Sequence, residues 1–163
     1  MRLRPARPDE APLLTDLCLA SKAHWGYDAA FMALCRESLT VTPAMTLACS
    51  MVVAVDGDDR PRAIGSLAGE ISPGEIEVAL LFVHPQAMGQ GLGRLIFEAL
   101  EDLARSRGAT RLSILADPGA VPFYLHMGAV QLGEAPSDAI PGRTLPLLSY
   151  AVGSRPRLPE DEP

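Results

Sequence analysis

The order of hydrophobic and polar positions predicts a short strand and then two helices in the first part of the chain. Residues 2–4 alternate in polarity and end at a proline. Asp9 and Asp28 each have the short acidic side chain that favours a helix N-cap. Both helices have a core-facing side at helical spacing: Leu14, Leu17, Cys18 and Ser21 in the first, and Phe31, Leu34, Cys35 and Leu39 in the second.

Three strands are predicted next, over residues 50–55, 63–71 and 75–83. Turn sequences separate them, with Asp-Gly-Asp at 56–58 and Ser-Pro-Gly at 72–74. Because such short turns join antiparallel neighbours, we expect consecutive hairpins here.

The rest of the chain changes to alternating helices and strands. Apolar residues at helical spacing predict a helix from 92 to 104, which Gly108 ends. A strand at 111–116, a short helix starting at Asp117-Pro118 and ending about Met127, and strands at 130–134 and 145–152 follow. The element order predicts one mixed α/β (α+β) domain over 1–152, and the polar, proline-rich stretch 153–163 is predicted to be a flexible tail.

Composition and charge narrow the class of protein. With 163 residues and 48% hydrophobic content, the chain is long enough for one domain with its own core. It has no apolar run of transmembrane length, and its basic N-terminus leads into no secretory signal. The net charge of −6 argues against a nucleic-acid partner. Three scattered cysteines suggest a cytoplasmic protein without disulfides or a zinc site.

Candidate chemistry is concentrated in residues 80–94, where a strand enters a loop with Gly89, Gly91 and Gly93 and then a helix. Glycines let consecutive N–H groups converge, and a helix N-terminus adds positive potential, so this junction is suited to a phosphate. Arg94 replaces the Lys-Ser/Thr of a Walker loop, and the glycine spacing differs from the dinucleotide fingerprint. A plain tight turn is the alternative.

Two motifs identify a resemblance to a known family. Gln86-Ala-Met-Gly89-Gln-Gly91 resembles the Gln/Arg-x-x-Gly-x-Gly/Ala signature of the GNAT superfamily of N-acetyltransferases. The segment from Asp117 to Gly128 resembles the family's Asn-x-x-Ala-x-x-Phe-Tyr-x-x-x-Gly block, with Asp117 in place of Asn. The resemblance covers all of the chain except the tail.

The resemblance implies a fold and an activity. The fold would be a mixed, mostly antiparallel sheet of six or seven strands flanked by about four helices. The activity would be transfer of an acetyl group from acetyl-CoA, a co-substrate, to a primary amine of a small molecule or peptide, by direct attack and without a metal. Alternatives are a non-catalytic acyl-CoA-binding or regulatory domain, or a nucleotide-binding module. Homodimers are common in the family, so the resemblance allows that this protein forms one.

The resemblance also implies a set of cofactor-binding residues. Backbone N–H groups from Gln86 to Gly91, continuing to Arg94, would hold the pyrophosphate, while Leu81 and Val83 would pair with the pantetheine arm. The Leu81 N–H would face the thioester oxygen. The full set is Leu81, Phe82, Val83, Gln86, Ala87, Met88, Gly89, Gln90, Gly91, Leu92, Gly93, Arg94, Asp117, Ala120 and Phe123.

Three residues are candidates for proton transfer. In relatives, the tyrosine that corresponds to Tyr124 returns a proton to the leaving thiolate; a buried core tyrosine is the alternative. Uninterrupted strand alternation puts Glu75 and Glu77 on one face with Leu81 and Val83. Glu77 is the first candidate for the general base and Glu75 the second; two solvated strand-end glutamates are the alternative.

The acceptor site is the least defined part. The family places the acceptor near the first two helices, so His24, Trp25 and Tyr27 are candidates to line it. A hydrophobic clamp between those helices is the alternative. Arg143 lies in a loop that could hold a carboxylate of the acceptor, or it is simply a turn residue. The identity of the amine does not follow from the sequence, because this scaffold serves many acceptors.

Overall fold

The structure is a computed structural model, and it describes residues 1–48 and 50–154. Within these residues, the strands are β1 (Arg2–Pro5), β2 (Met51–Val55), β3 (Pro61–Ser72), β4 (Glu75–Val83), β5 (Arg111–Leu115), β6 (Val130–Pro136) and β7 (Thr144–Ala151). The helices are α1 (Ala11–Ala23), α2 (Ala29–Cys35), α3 (Pro43–Leu47), α4 (Leu92–Ser106) and α5 (Val121–His126).

All these strands join one sheet in the order β1-β2-β3-β4-β5-β7-β6. Neighbours are antiparallel except β4 and β5, which run parallel. The predicted hairpins β2–β3 and β3–β4 are therefore present, as is the mixed sheet. The predicted fold class is confirmed.

The sheet separates two hydrophobic cores. The α4 core lies between the sheet and helices α4 and α5, and it includes Ile96, Phe97, Leu100, Leu112 and Tyr150. The α1 core lies on the other face, under α1 and α2, and it includes Leu14, Cys18, Cys35, Val53 and Ile64. Helix α1 thus buries the side that its periodicity predicted, with Leu14, Leu17 and Cys18 in the core.

Gly65 permits the close approach of α4 to β3. A Cβ at this position would overlap Ile96 and lie 3.0 Å from Leu100 Cδ1. We expect Gly65→Ala to lower the free energy of unfolding by about 1–3 kcal/mol, because overpacking forces neighbouring side chains to shift. Gly69→Ala is the matched control, since a Cβ there meets nothing within 4 Å. Urea unfolding of both variants tests this; equal effects would contradict it.

The start of α1 differs from the prediction. Pro8–Glu10 form a 3-10 turn before the helix, and Asp9 lies inside this turn. Glu10 is the residue before α1, but its side chain does not cap the helix; it accepts a hydrogen bond from the Arg7 N–H at 3.0 Å instead. Glu10 is held there by the buried guanidinium of Arg4, a long-range contact that local sequence does not indicate.

The second helix is shorter than its apolar pattern suggested. Asp28 caps it as predicted, accepting from the Phe31 N–H at 2.8 Å. The helix ends at Cys35, and Leu34 is 58% exposed, so its expected core position is wrong. Leu39 reaches the core from the turn that follows. The five-residue helix α3 was not predicted; Thr42 caps it by accepting from Met45 N–H at 3.3 Å.

The C-terminal boundary of the domain was predicted at residue 152. Gly153, one residue beyond that boundary, still contacts the domain, because its N–H donates to the buried Glu101 carboxylate at 2.6 Å. Residues 155–163 of the predicted tail, and Cys49, lie outside the described residues, so the domain limits stay a prediction. Within the described part, no helix combines the length and apolarity needed to cross a membrane.

Candidate active site

Strand β4 contains a bulge at Ala79. Ser66 of β3 lies opposite Leu80, but the next residue of β3, Leu67, lies opposite Val78. Ala79 is therefore an extra residue on β4 without a counterpart on β3. Such a bulge bends a strand and reverses which side chains lie on each face.

The bulge changes the position of the two glutamates relative to the rest of β4. The β4 residues that pack in the α4 core are Ile76, Val78, Leu81 and Val83. Glu75 and Glu77 alternate with the first two, so they lie on the opposite face, toward α1. The expectation that they share a face with Leu81 and Val83 is wrong, because it assumed uninterrupted alternation.

β4 and β5 separate soon after they begin. Their paired residues are 75–77 and 111–113. Farther along, the His84 N–H donates to the Arg62 carbonyl on β3 at 2.8 Å. Because successive residues direct their N–H groups to opposite edges of a strand, those of Leu81 and Val83 face the gap left by β5.

A cavity of about 420 Å³, called the main cavity below, occupies this gap and reaches both faces of the sheet. On the α4 side, Gly93, Phe123 and Tyr124 line it. On the α1 side, Ser21 and Cys35 line it. One space therefore connects the glycine-loop end of β4 with the first two helices.

The glycine loop has an internally bonded first half. His84 Nδ1 accepts from the Gln86 N–H at 3.2 Å. The carbonyls of His84 and Pro85 accept from the N–H groups of Ala87 and Met88, at 2.8 and 3.4 Å. These three amides have partners already, so the expectation that N–H donation to a pyrophosphate begins at Gln86 does not fit the structure.

The second half of the loop presents open backbone. Gly89 and Gly91 have φ of +78° and +80°, and a Cβ on either would meet nothing within 4 Å. Gly91 is the N-cap of α4 and no side chain caps it. The first helical bond runs from Leu95 N–H to Gly91 O at 3.1 Å, so the amides of residues 92–94 have no acceptor within the helix. A cavity of about 330 Å³ adjoins these amides.

The resemblance implies that this loop binds acetyl-CoA, and Gly91→Ala is then expected to weaken that binding by about 10-fold or more. Alanine disfavours the left-handed conformation by about 1–2 kcal/mol, and its methyl group would project beside the open amides. Gly108→Ala is the control, because Gly108 has φ of +77° and open surroundings at the other end of α4. Calorimetric titration with acetyl-CoA measures both variants. Equal affinities for Gly91→Ala and wild type would contradict the assignment of this loop.

Gly93 and Arg94, which follow the open part of the loop, have packing and surface contacts. Gly93 packs against Phe123, whose ring would lie 3.2 Å from an added Cβ, so it allows α4 to approach α5. Arg94 is exposed and pairs with Glu98 at 3.0 Å, which leaves it at the rim of the smaller cavity. His126 of α5 also lines the smaller cavity.

Tyr124 is buried in the α4 core and lines the cavity that crosses the sheet. Its ring packs against Phe97 and Phe123, with centroids 6.2 and 5.1 Å away. Among the described residues, its hydroxyl has no hydrogen-bond partner, so the backbone bond expected of a purely structural tyrosine is missing. Burial raises the pKa of Tyr124 well above its usual value of about 10, so the phenol stays protonated at neutral pH.

The two glutamates of β4 have different environments. Glu77 is half-buried and lines the main cavity. Burial, and then the charge of Asp138, raise the pKa of Glu77 above its usual value, which makes its carboxylate a stronger base. Glu75 lies outside the cavity lining and pairs with Arg111 at 3.2 Å. The structure therefore favours Glu77 over Glu75.

Asp117, at the end of β5, is the centre of a polar cluster. Its carboxylate accepts from the Tyr27 hydroxyl at 2.7 Å and the Gly119 N–H at 3.0 Å, and it pairs with Lys22 at 3.2 Å. Burial acts to raise the pKa of Asp117, but these bonds and the lysine charge outweigh it, and the pKa is lowered. Asp117, which stands where the family has Asn, thus forms an ion pair with Lys22 of α1.

Arg143 extends this cluster from the loop between β6 and β7. One of its guanidinium nitrogens donates to the Tyr27 hydroxyl at 2.9 Å. The guanidinium also lies over the ring of Phe31, 4.9 Å from the centroid, and that ring stacks on Tyr27 at 4.0 Å. Arg143 is therefore more than a turn residue, since α1, α2 and the loop meet around it.

Comparison with known proteins settles the family. Residues 22–129 match the model of the Acetyltransferase (GNAT) family, which is more than half of the chain. The chain belongs to the GNAT family. Its sequence is also 33% identical over 48 residues to an uncharacterized N-acetyltransferase, ycf52, of Gracilaria tenuistipitata var. liui. That match covers 29% of this chain and 26% of the relative.

Solved structures of GNAT proteins have the same fold. The GCN5-related N-acetyltransferase from Rhodopseudomonas palustris superposes with a TM-score of 0.74 at 24% identity, over 92% of this chain and 94% of that one. The PaiA N-acetyltransferase from Thermoplasma acidophilum, solved in complex with coenzyme A, gives 0.69 at 13% identity, over 92% and 98%. At these identities the likeness concerns the fold.

The acceptor candidates of this GNAT protein are only partly brought together. Trp25 lines the main cavity and packs on Gly119, although it is 46% exposed. Tyr27 contacts the cavity residues Asp117 and Arg143. His24 is exposed at the end of α1 and outside the cavity lining.

Several cavity residues were not identified from the sequence. They include Lys22, Ser38, Ser137 and Asp138. They come from distant parts of the chain and have no local motif, so only the tertiary fold assembles them. Within residues 1–48 and 50–154, no group of three or more His, Cys, Asp or Glu side chains is arranged to hold a metal ion.

Proposed function

We propose that this GNAT protein transfers the acetyl group of acetyl-CoA to a primary amine of a small molecule or peptide. The observation that carries the proposal is the single cavity across the sheet. It joins open amides at the edge of β4 with a buried phenol on one face and a half-buried carboxylate on the other. Direct transfer requires such a space, since the thioester and the amine must meet in it.

The cofactor end of the cavity is formed by backbone groups. The amides from Gly89 to Arg94 would hold the diphosphate at the N-terminus of α4. The N–H groups of Leu81 and Val83 would bond to the amide-rich pantetheine arm as a neighbouring strand does. The arm would thus take the place beside β4 that β5 leaves open. In agreement, PaiA from Thermoplasma acidophilum, which shares the fold, was solved with coenzyme A.

Two residues of the chain would assist transfer at the thioester, one at its carbonyl oxygen and one at its sulfur. As the amine nitrogen bonds to the acetyl carbon, the Leu81 N–H donates to the carbonyl oxygen, where negative charge develops. The carbon–sulfur bond then breaks, and the Tyr124 hydroxyl donates its proton to the leaving sulfur. The buried phenol is protonated before this step, and the phenolate that remains afterwards regains a proton released by the amine, through water.

Glu77 would supply the base. An ammonium has no lone pair, so the acceptor must lose one proton before it attacks and a second after the bond to carbon forms. The Glu77 carboxylate accepts such a proton, directly or through water, and passes it to solvent. Its position on the α1 face, opposite Tyr124, supports this role, because the acceptor is proposed to bind on that face.

The proposal is tested by release of free thiol from acetyl-CoA in the presence of a library of amines, with mass spectrometry of the products. We expect thiol release that depends on an amine and yields one acetylated amine per thiol. Calorimetry with acetyl-CoA, ATP and NAD accompanies it. Binding of acetyl-CoA without turnover of any amine would indicate a binding or regulatory domain, and tight binding of ATP alone would indicate a nucleotide-binding module.

A further inference from the structure

Arg143 is a half-buried arginine whose charge is not matched by a carboxylate in the described part of the chain. Two other arginines of low exposure, Arg4 and Arg62, form ion pairs with acidic side chains. Arg143 instead donates one hydrogen bond to a neutral hydroxyl, that of Tyr27, and lines the main cavity. A guanidinium has five N–H donors, so most of its donors remain available for a ligand.

The surroundings of Arg143 fix its position without neutralising it. The stacked rings of Tyr27 and Phe31 lie 5.3 and 4.9 Å from the guanidinium carbon. The nearby carboxylate of Asp117 is paired with Lys22 and bonded to Tyr27. The guanidinium of Arg143 is therefore held in place on the acceptor side of the sheet, and it forms no ion pair among the described residues.

The loop that carries Arg143 also brings an acidic residue to the cavity. Asp138 lines the cavity and lies close enough to Glu77 for its charge to raise the pKa of that carboxyl. The loop is closed by a hydrogen bond from Ser137 N–H to the Arg143 carbonyl at 2.8 Å. Its Ala139 and Ile140 pack against the α1 core, so the loop is anchored.

We propose that the acceptor carries a carboxylate that binds Arg143, while its amine binds beside Glu77 and Asp138. The acceptor class is thus an amino acid or a similar small zwitterion. This inference rests on the proposed function, because it concerns the acceptor half of the same cavity. The guanidinium of Arg143 and the carboxylates of Glu77 and Asp138 line the same cavity. A ligand with one negative and one positive group would match them.

The test compares amino acids with their carboxamides as acceptors in the thiol-release assay. For wild type, we expect the carboxamide to have a kcat/KM about 10- to 100-fold lower than the free acid, mainly through KM, because a charge-assisted bond is lost. Arg143→Gln should lower kcat/KM for the acid by a similar factor and leave the carboxamide unchanged. Arg143→Lys should restore part of the loss. Arg60→Gln, on the exposed turn before β3, is the control.

Unchanged acetyl-CoA affinity of Arg143→Gln would show that the variant is folded. Equal use of acid and carboxamide by wild type would overturn the inference while leaving acetyl transfer intact. An equal loss of kcat/KM for the amino acid and its carboxamide in Arg143→Gln would overturn it as well. Failure of every amine to release thiol would overturn the proposed function itself, and this inference with it. Calorimetry of amino acids with the coenzyme A complex adds a readout of acceptor binding that is independent of turnover.

Discussion

Replacement of Tyr124 by phenylalanine is expected to lower kcat by about 10²- to 10⁴-fold, the usual effect of removing a general acid. The phenol lines the main cavity and has no hydrogen-bond partner among the described residues. Its removal leaves the ring packing unchanged, so acetyl-CoA affinity and the unfolding temperature should stay close to those of wild type. Without the hydroxyl, the thiolate leaves unprotonated, and breaking the carbon–sulfur bond becomes slower.

Steady-state and single-turnover kinetics of Tyr124→Phe test this expectation. Single-turnover measurements are needed because release of product can hide a slower chemical step. The wild-type rate should show no loss from ionisation of Tyr124 up to about pH 10, since burial raises the pKa of Tyr124 above its usual value. A variant with full single-turnover rate would show that another group protonates the sulfur.

Glu77→Gln is the second change with a large expected effect. We expect kcat/KM near neutral pH to fall by about 10²-fold or more, because glutamine cannot take the proton of the attacking amine. In wild type, kcat/KM should fall as the pH drops through the pKa of Glu77, which is raised above its usual value. The variant should lack this acidic limb. Glu75→Gln is the matched control, because Glu75 is on the same strand but outside the cavity lining.

The position of that acidic limb should depend on Asp138. Burial and the negative charge of Asp138 both raise the pKa of Glu77. Asp138→Asn removes the charge and should shift the acidic limb to lower pH. Rate profiles for wild type, Asp138→Asn and Glu77→Gln provide the comparison. An acidic limb that persists in Glu77→Gln would assign the titration to a different group.

The sequence was informative where local physics decides the structure. The turn at 72–74 and the apolar run after it predicted strand β4 with the limits observed, Glu75–Val83. The capping role of Asp28 was also predicted correctly, because a short acidic side chain before an apolar stretch favours one local geometry. Gly89 and Gly91 adopt the left-handed conformation that makes glycine useful in such a loop.

Features that depend on distant contacts were not predicted. The bulge at Ala79 comes from pairing with β3, and no residue type marks it, so the faces of Glu77 and Leu81 were assigned incorrectly. Bonds to His84 and Pro85 occupy the first loop amides, although the glycine motif suggested a continuous row of donors. Lys22 and Asp138 enter the cavity only because the fold brings α1 and the β6–β7 loop together.

We propose that one cavity holds the thioester between the Leu81 amide and the Tyr124 hydroxyl. The most direct measurement is a crystal structure of the protein with acetyl-CoA. It should show the diphosphate on the amides between Gly89 and Arg94, the thioester oxygen on the Leu81 N–H, and the sulfur within hydrogen-bond reach of the Tyr124 hydroxyl. A diphosphate bound elsewhere, or a sulfur remote from Tyr124, would contradict the account.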